Sequence, residues 1–464
     1  MTFQKLLIAN RGEIAIRIAR AAAAEGIASV ALYPADDALS LHVRAADEAI
    51  ELPGRGAQAY LDIDAIVGAA KRAGCDALHP GYGFLSENAA LARRCAAEGV
   101  AFIGPAPEVL ELFGDKPKAK ALARKCGVPV IESTGGETSL EEAHAFLASL
   151  GPSAAVMVKA IAGGGGRGMR VVEDASQLAE AYARCRSEAR AAFGDDGVYV
   201  ERLIRDARHV EVQVIGDRHG GLSHLWEREC SIQRRHQKLI EIAPSPSLST
   251  EARARIVEAA TRIAGTIGYD GLGTFEFLVE GGAGDDDARF AFIEANPRLQ
   301  VEHTVTEEVL GVDLVRAQIA VAGGATLAAL GLDQASVPAP RGYALQLRVN
   351  METMDATGAV KPSGGEITAF DPPTGPGVRV DSFGYCGYRT SAAFDSLLAK
   401  VVVHTPALRW AEVVEKASRA LREFRVAGVE TNIPFLQAVL AHGDFRANRI
   451  DTGFIDAHAA ELAA

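Results

Sequence analysis

No stretch of eighteen apolar residues occurs in this chain, so no segment is long enough to span a bilayer as a helix. No two of its six cysteines, Cys75, Cys95, Cys126, Cys185, Cys230 and Cys386, stand in a CxxC spacing. That leaves neither a zinc site nor a disulfide frame, and it fits reduced thiols in a cytoplasmic protein. A basic surplus is also missing. The 48 Lys and Arg face 60 Asp and Glu, a formal net charge of −12, which argues against a nucleic-acid or anionic-membrane surface. Internal repeats and low-complexity tails are absent, and the opening MTFQKLLIANRGE places charge straight after a short apolar run, unlike a signal peptide. What remains is an ordinary globular composition, 48% hydrophobic and 23% charged, with a length that suits about three domains.

The first hundred or so residues repeat a strand-then-helix rhythm. KLLIAN reads as a strand, residues 13–25 carry the helical period and stop at Gly26, and IASVALYP reads as the next strand. Units at 60–73 with CDALHP and at 85–98 with VAFIGP continue it, which predicts an open, mainly parallel sheet covered by helices. Asn10-Arg11-Gly12 and His79-Pro80-Gly81-Tyr82-Gly83 follow strand ends, where such sheets hold ligands, although turn glycines alone would also explain them. GVPVIEST, 127–134, crosses into a smaller unit with a helix at 140–150, strands AAVMVKA and MRVVE around a glycine loop, a helix to about 193, and GVYVERL. From about 204 to 323 the runs HVEVQVIG, LSHLWERE, GTFEFLVE and ARFAFIEAN predict a larger antiparallel region. GGAGDDDA, 281–288, is a polar loop between two of them. VPAPRG, 337–342, is a proline-rich joint, followed by short strands and helical runs at 410–424 and 434–442.

Chemistry concentrates in FIEANPRLQVEHTVTE, 292–307. Glu294, Asn296, Arg298, Gln300 and Glu302 occupy every second position, and Ala295, Pro297, Leu299 and Val301 fill the gaps. In an extended segment all five polar groups share one face. A solvated edge strand is the plain reading; a face turned to a metal and a substrate is the functional one. Upstream, GTFEFLVE sets Glu276 between Phe275 and Phe277. Carboxylates on two strands, ahead of Asn296, suit Mg²⁺, a hard cation that takes oxygen ligands and bridges nucleotide phosphates.

The loop AGGGGRGMR, 162–170, satisfies GxGxxG through Gly163, Gly165 and Gly168. A dinucleotide-binding loop must lead into a helix, whereas this one leads into the β-rich MRVVE, so strand–loop–strand is expected. A hairpin tip of that kind can close over phosphates as a lid; a bare flexible turn is the alternative. Lys159 ends the strand before it and Lys116 lies in GDKPKAK, each a compact charge for phosphate oxygens or else solvated surface. ERECSIQRRHQK, 227–238, is too charged for a core, and Gln233, His236 and Lys238 in it can reach a nucleotide or an anionic substrate.

Together these stretches resemble the biotin carboxylase family of ATP-grasp enzymes. IANRGEIAIRI, HPGYGFLSEN, FIGP, GDK, GGGGRGMR, HVEVQV, ERECSIQRRHQK, GTFEFL, NPRLQVEHTVTE and GVDLVRAQI match in order across nearly the whole chain. The tail REFRVAGVETNIPFLQAVL is similar to the end of that domain in pyruvate carboxylases and single-chain acyl-CoA carboxylases. The resemblance implies an α/β (α+β) ATP-grasp fold: an N-terminal open parallel α/β domain over 1–113, an ATP-grasp domain over 114–335 with a small mobile lid at about 131–203, and a C-terminal β-rich domain over 336–464. It implies ATP-dependent carboxylation of biotin by bicarbonate through carboxyphosphate.

By the same resemblance Lys116, Lys159, Gly163, Gly164, Gly165, Gly166, Gly168, Glu201, Leu203, His209, Gln233 and His236 would hold ATP. Glu276, Glu294 and Asn296 would hold Mg²⁺ or Mn²⁺. Lys238, Arg298, Gln300 and the Val301 backbone would bind bicarbonate, Glu302 would take its proton, and Tyr82 and Arg348 would lie at the biotin ring. Two departures stand out. Where family members commonly carry a carboxylate two residues before the arginine, this chain reads Gln346-Leu347-Arg348-Val349-Asn350-Met351-Glu352, and Thr353-Met354-Asp355 replaces the Asp-Pro that follows. No Met-Lys-Met attachment motif is present, so biotin is expected on a carrier protein or domain, with a carboxyltransferase in trans or in a longer chain. A homodimer is expected from the family. Another ATP-grasp carboxylate–amine ligase and a non-catalytic ATP-binding module are the competing readings; the second is expected to lose Lys238, Arg298 or Glu302, and all three are present.

Overall fold

Leu6, Leu7 and Ile8 are buried on both sides, as a central parallel strand requires. In the computed structural model, which describes residues 3–151, 154–161, 168–281, 284–355 and 358–462, they form β1 (Lys5–Ile8) of an all-parallel sheet. Its other strands are β2 (Ala28–Pro34), β3 (Glu48–Leu52), β4 (Ala77–His79) and β5 (Ala101–Phe102), in the order β3-β2-β1-β4-β5. The chain winds outward from β1 to β3 and then returns to the other side of β1, so the two strand-end loops singled out in the sequence flank a topological switch point. The edge strand β3 escapes the sequence pattern because its Glu48 and Glu51 face solvent, a common way to blunt a sheet edge.

A small antiparallel sheet follows, β6 (Val156–Ala160), β7 (Met169–Val172) and β8 (Val198–Arg202) in the order β7-β6-β8, as expected for strand–loop–strand around the glycine run. Helices Leu140–Ser149 and Leu178–Phe193 flank it, the first opened by a Ser139–Glu142 capping box.

The centre of the molecule is an eight-stranded sheet. Its strands are β9 (Arg208–Gly216), β10 (Leu222–Arg234), β11 (Gln237–Ala243), β12 (Gly271–Glu280), β13 (Arg289–Asn296) and β14 (Tyr343–Asn350), joined after the short ribbon β15 (Glu352–Met354) with β16 (Val360–Pro362), and after β17 (Ala369–Asp371), by β18 (Val378–Ser382) and β19 (Leu397–Thr405). The order is β13-β12-β9-β10-β11-β14-β19-β18, antiparallel at every pairing; β17 pairs instead with β20 (Arg425–Ala427). Val210, Val212, Phe275 and Phe277 pack with Ile256 and Ile263 of helix Thr250–Thr266. Leu345, Leu347 and Val401 pack with Val413, Ala417 and Leu421 of helix Trp410–Glu423. No described helix is long and apolar enough to cross a membrane.

The stretch 292–307 departs from the extended form expected of it. Strand β13 ends at Asn296, the chain folds through Pro297, and a helix runs from His303 to Leu310. Pro297 has no N–H to give to a sheet ladder, and the next amide, Arg298 N–H, turns back onto the Asn296 carbonyl oxygen (2.8 Å). Leu299 and Val305 are buried against Ile14 and Ile18, docking this turn on the N-terminal unit.

Candidate active site

Period-2 alternation builds most of one polar face. On β9, Val210, Val212 and Val214 enter the core while His209, Glu211 and Gln213 point the other way; on β12, Thr274 and Glu276 do so against Phe275 and Phe277. Two β-bulges add the rest. On β13, Phe292 pairs with Phe277 while Glu294 pairs with Glu276, which leaves Ile293 extra and sends Phe292 to the core and Glu294 to the site. On β11, Ile240 pairs with Ile232 while Lys238 pairs with Gln233, so Leu239 is extra, and Lys238 and Glu241, three apart, reach the same side.

At the centre the Lys238 ammonium donates to Glu211 (2.6 Å), Glu302 (2.7 Å) and Glu276 (3.0 Å). The other oxygen of Glu302 accepts from Arg348 (3.0 Å), whose Nε donates to Glu241 (2.6 Å). Glu241 also accepts from the Gln346 amide (2.9 Å), and the Gln346 carbonyl accepts from Thr304. Arg228, wholly buried, pairs with Glu211 (2.5 Å) and donates to Gln213, Thr274 and Thr306. Burial alone would raise Glu302 and Glu276. For Glu302 the Lys238 and Arg348 charges outweigh it, for Glu276 the Lys238 charge and the His209 hydrogen bond do, and both carboxyls are held below the usual range. Burial would likewise lower Lys238, but its three carboxylates hold it well above an ordinary lysine. Glu241 is raised by burial despite Arg348.

Arg298 completes this end. It donates to Gln300 (3.0 Å) and Asn296 (3.1 Å) and pairs with Glu87 (3.1 Å), while Asn296 and Gln300 donate to Glu276 (2.7 and 3.2 Å). The five polar groups of the alternating stretch therefore do converge, through a turn and a helix start instead of one strand. Tyr82 donates to Glu13, and burial pushes its hydroxyl well above the usual range. Asn10 and Arg11, by contrast, are committed to structure. Asn10 donates to the Pro80 and Tyr82 carbonyl oxygens (2.8 Å each), occupying the space a Cβ on Gly81 would need. Arg11 is bidentate on Asp37 (2.6 and 2.9 Å) and lies over the Phe394 ring.

Toward the small sheet, Glu201 accepts from Lys159 (3.2 Å) and from Lys120, and Lys116 pairs with Glu294 (3.3 Å). Lys120, almost fully buried, is pushed down to about 8 chiefly by that burial. Gln233 donates to His209 Nδ1, so Nε2 carries the proton and donates to Glu276 (2.6 Å). His236 sits with Arg235 at the tip of the β10–β11 hairpin, both at positive φ (64° and 48°), a turn that glycine and asparagine normally fill. Leu203 N–H donates to the Ala155 carbonyl oxygen (2.8 Å), and the Gly168 carbonyl oxygen accepts from Ala160 (2.8 Å). Gly163, Gly164, Gly165 and Gly166 lie outside the described residues.

Glu276 and Glu294 face each other in register on adjacent strands, Asn296 two residues further on. Like charges directly opposite are unfavourable unless a cation joins them. The Glu294 side chain keeps 32% of its exposure, so this all-oxygen set fits a hard divalent cation. Sequence reasoning missed Glu211, Arg228, Lys120, Glu87 and Glu241. Glu211 has the parity of His209 in HVEVQV, and Lys120 lies four after Lys116 on helix Lys116–Lys125; both were readable. Glu241 was not, because a bulge sets its face.

Three family models match the chain: biotin carboxylase, N-terminal domain (residues 2–110); carbamoyl-phosphate synthase L chain, ATP binding domain (115–330); and biotin carboxylase C-terminal domain (346–457). Pyruvate carboxylase of Bacillus subtilis (strain 168) is 48% identical over 465 residues, 98% of this chain but 39% of that protein. The biotin carboxylase domain dimer of the Hydrogenobacter thermophilus 2-oxoglutarate carboxylase, solved with MgADP, ADP and bicarbonate, superposes with TM-score 0.93 at 39% identity, covering 100% of this chain and 99% of that one. The biotin carboxylase–beta-gamma-ATP complex from Campylobacter jejuni superposes with TM-score 0.92 at 41% identity, covering 98% and 99%. The chain thus spans about two-fifths the length of the pyruvate carboxylases it matches and nearly all of the isolated domains.

Proposed function

The chain belongs to the biotin carboxylase family, and from that premise we propose that it carboxylates a carried biotin with bicarbonate and ATP, releasing ADP and phosphate. The observation that carries this reading is Glu302, buried with Lys238 on one oxygen and Arg348 on the other. An anion resting on Lys238 and a weak acid resting on Arg348 would meet at one carboxylate.

ATP would lie along Lys116, Lys159, Glu201, Leu203, His209, Gln233 and His236 under the 163–168 glycines. A divalent cation held by Glu276, Glu294 and Asn296 would neutralise phosphate oxygens. Lys238, Arg298, Gln300 and the Val301 backbone would seat bicarbonate, with Arg298 held flat by its bonds to Asn296 and Gln300. Paired to two cations, Glu302 is a weak base; bicarbonate entering beside Lys238 would draw on that ammonium and raise Glu302 toward proton acceptance. As Glu302 takes the proton, a bicarbonate oxygen attacks the γ-phosphorus, and ADP leaves to give carboxyphosphate. This breaks to CO₂ and phosphate, phosphate accepts the ureido proton, and the biotin nitrogen bonds to CO₂. Arg348 would stabilise the charge developing on the ureido oxygen, with Tyr82 alongside.

The biotin would arrive on a carrier protein or domain, with a carboxyltransferase on another chain or in a longer one, and two copies would pair in the cytoplasm. Light scattering at micromolar concentration tests the pairing. For the reaction, ADP release should require bicarbonate and rise with free biotin, and radiolabelled bicarbonate should appear on biotin. ADP release indifferent to bicarbonate would overturn the reading.

A further inference from the structure

Lys400 on β19 has no solvent exposure at all, and no role in the reaction above. Its ammonium pairs with Glu13 (2.9 Å), lies 3.9 Å from Asp381, and donates to the Val301 carbonyl oxygen (3.1 Å). The contacts with Val301 and Glu13 lead to different parts of the site. Val301 precedes Glu302, and Glu302 stands just before the helix His303–Leu310, so fixing the 301–302 peptide fixes where the Glu302 side chain departs. Glu13, on helix Gly12–Ala24, accepts from Tyr82 with its other oxygen. Lys400 itself is the cross-strand partner of Arg348.

A buried ammonium is costly unless well compensated, and an apolar residue would pack β19 at less expense. The ion pair is therefore placed for geometry: one Lys400–Glu13 couple touches the backbone beside Glu302, the Tyr82 hydroxyl and the strand of Arg348. We propose that Lys400 is a positioning residue that, through the Val301 carbonyl and Glu13, keeps the bicarbonate side and the biotin side of the site aligned, so that cleaved ATP yields carboxybiotin. The inference rests on the function proposed above.

Lys400→Met strands the Glu13 carboxylate in the interior and is expected to unfold at lower temperature. Lys400→Met/Glu13→Gln removes the pair together and should recover most of the wild-type midpoint. Folded, it should release about tenfold or more ADP per carboxybiotin and show about a tenfold higher bicarbonate KM, with the nucleotide KM unchanged, because sub-ångström misplacement of reacting groups costs rate on that order. Glu13→Gln alone, in which Asp381 still faces Lys400, should uncouple in the same direction to a smaller degree. A wild-type ratio of ADP to carboxybiotin in whichever of these variants folds overturns the proposal. Wild-type protein that forms no carboxybiotin would instead overturn the functional reading.

Discussion

At one end of the site a single lysine faces three carboxylates; at the other a single carboxylate faces two lysines. The three carboxylates around Lys238 have other partners too, Arg228 for Glu211, Arg348 for Glu302 and His209 for Glu276, whereas Glu201 with Lys120 and Lys159 leaves positive charge in surplus. Only the second group is unbalanced by itself, and buried imbalance is expensive unless a ligand supplies the missing sign. That imbalance suits the phosphates of a nucleotide, while the opening for a cation lies where Glu276 faces Glu294, which Lys116 pairs at the junction of the two halves. The lysines around Glu201 and the facing Glu276–Glu294 pair thus suit complementary parts of one ligand, a metal–nucleotide complex.

Removing Lys238 attacks the acidic half hardest. Lys238→Met leaves three buried carboxylates without their shared cation and should cost about 3–5 kcal/mol in urea unfolding, with ADP release lost. The penalty has a pH signature. In the wild type Glu276 and Glu302 sit below their unfolded values, so their contribution is present above the ordinary carboxylate range and is lost as pH falls through the folded values. Without Lys238 those carboxylates move up toward their unfolded values and that contribution shrinks, so the variant should close on the wild type as pH falls below the ordinary carboxylate range.

Glu276→Gln and Glu294→Gln test whether the facing pair is there for a cation. Each should lower turnover about a hundredfold and raise the metal concentration needed for half-maximal ADP release. Glu294→Gln, at the open edge, should do so with an unchanged unfolding midpoint. On the basic half, Lys159→Met should raise the nucleotide KM about tenfold, since one charge-assisted phosphate contact is lost. Because Lys120 loses its proton as pH rises through about 8, nucleotide affinity of the free protein should fall above that pH, and Lys120→Met should flatten the profile in calorimetric titrations. The smallest change expected comes from Gln346→Glu. It sharpens the acidic half by setting a second carboxylate against Glu241, and the two would share a proton. Carboxybiotin formation should acquire a new pH dependence while ATP cleavage shifts by no more than about twofold.

Much of this contrast is legible in the sequence. The basic half was read from Lys116, Lys159 and the glycine loop, and the acidic half from Glu276, Glu294 and Glu302, because strand alternation and short spacing write neighbours into sequence. What stayed hidden has physical causes. Ile293 and Leu239 are bulges, and each reverses which side its strand presents; nothing in FAFIEAN or HQKLIEIA signals the reversal. Glu241 became part of the site by that route. Pro297 ended a strand that alternation alone would continue to Glu302. Glu87 serves through a contact remote in sequence, with Arg298, and such a pairing emerges only from the packing of separate units.

The ladder joining β11 to β14 has a practical meaning for anyone who would cut or recombine this chain. Ile240, Glu241, Ile242 and Ala243 are hydrogen-bonded to Leu347, Gln346, Leu345 and Ala344, across the proline-rich joint at 337–342. A gene severed at that joint would yield a fragment whose new margin is Leu239, Ile240 and Ile242 with open amides and carbonyls. Such a margin recruits other chains into aggregates. Chimaeras made by exchanging everything beyond the joint would splice halves of two different sheets, and the stitching between residues 240–243 and 344–347 would have to travel as a matched set. The portable module is therefore the whole span from β9 to β19, and chimaera design should place its crossovers between β5 and β6 or between β8 and β9, where no ladder between the described strands crosses.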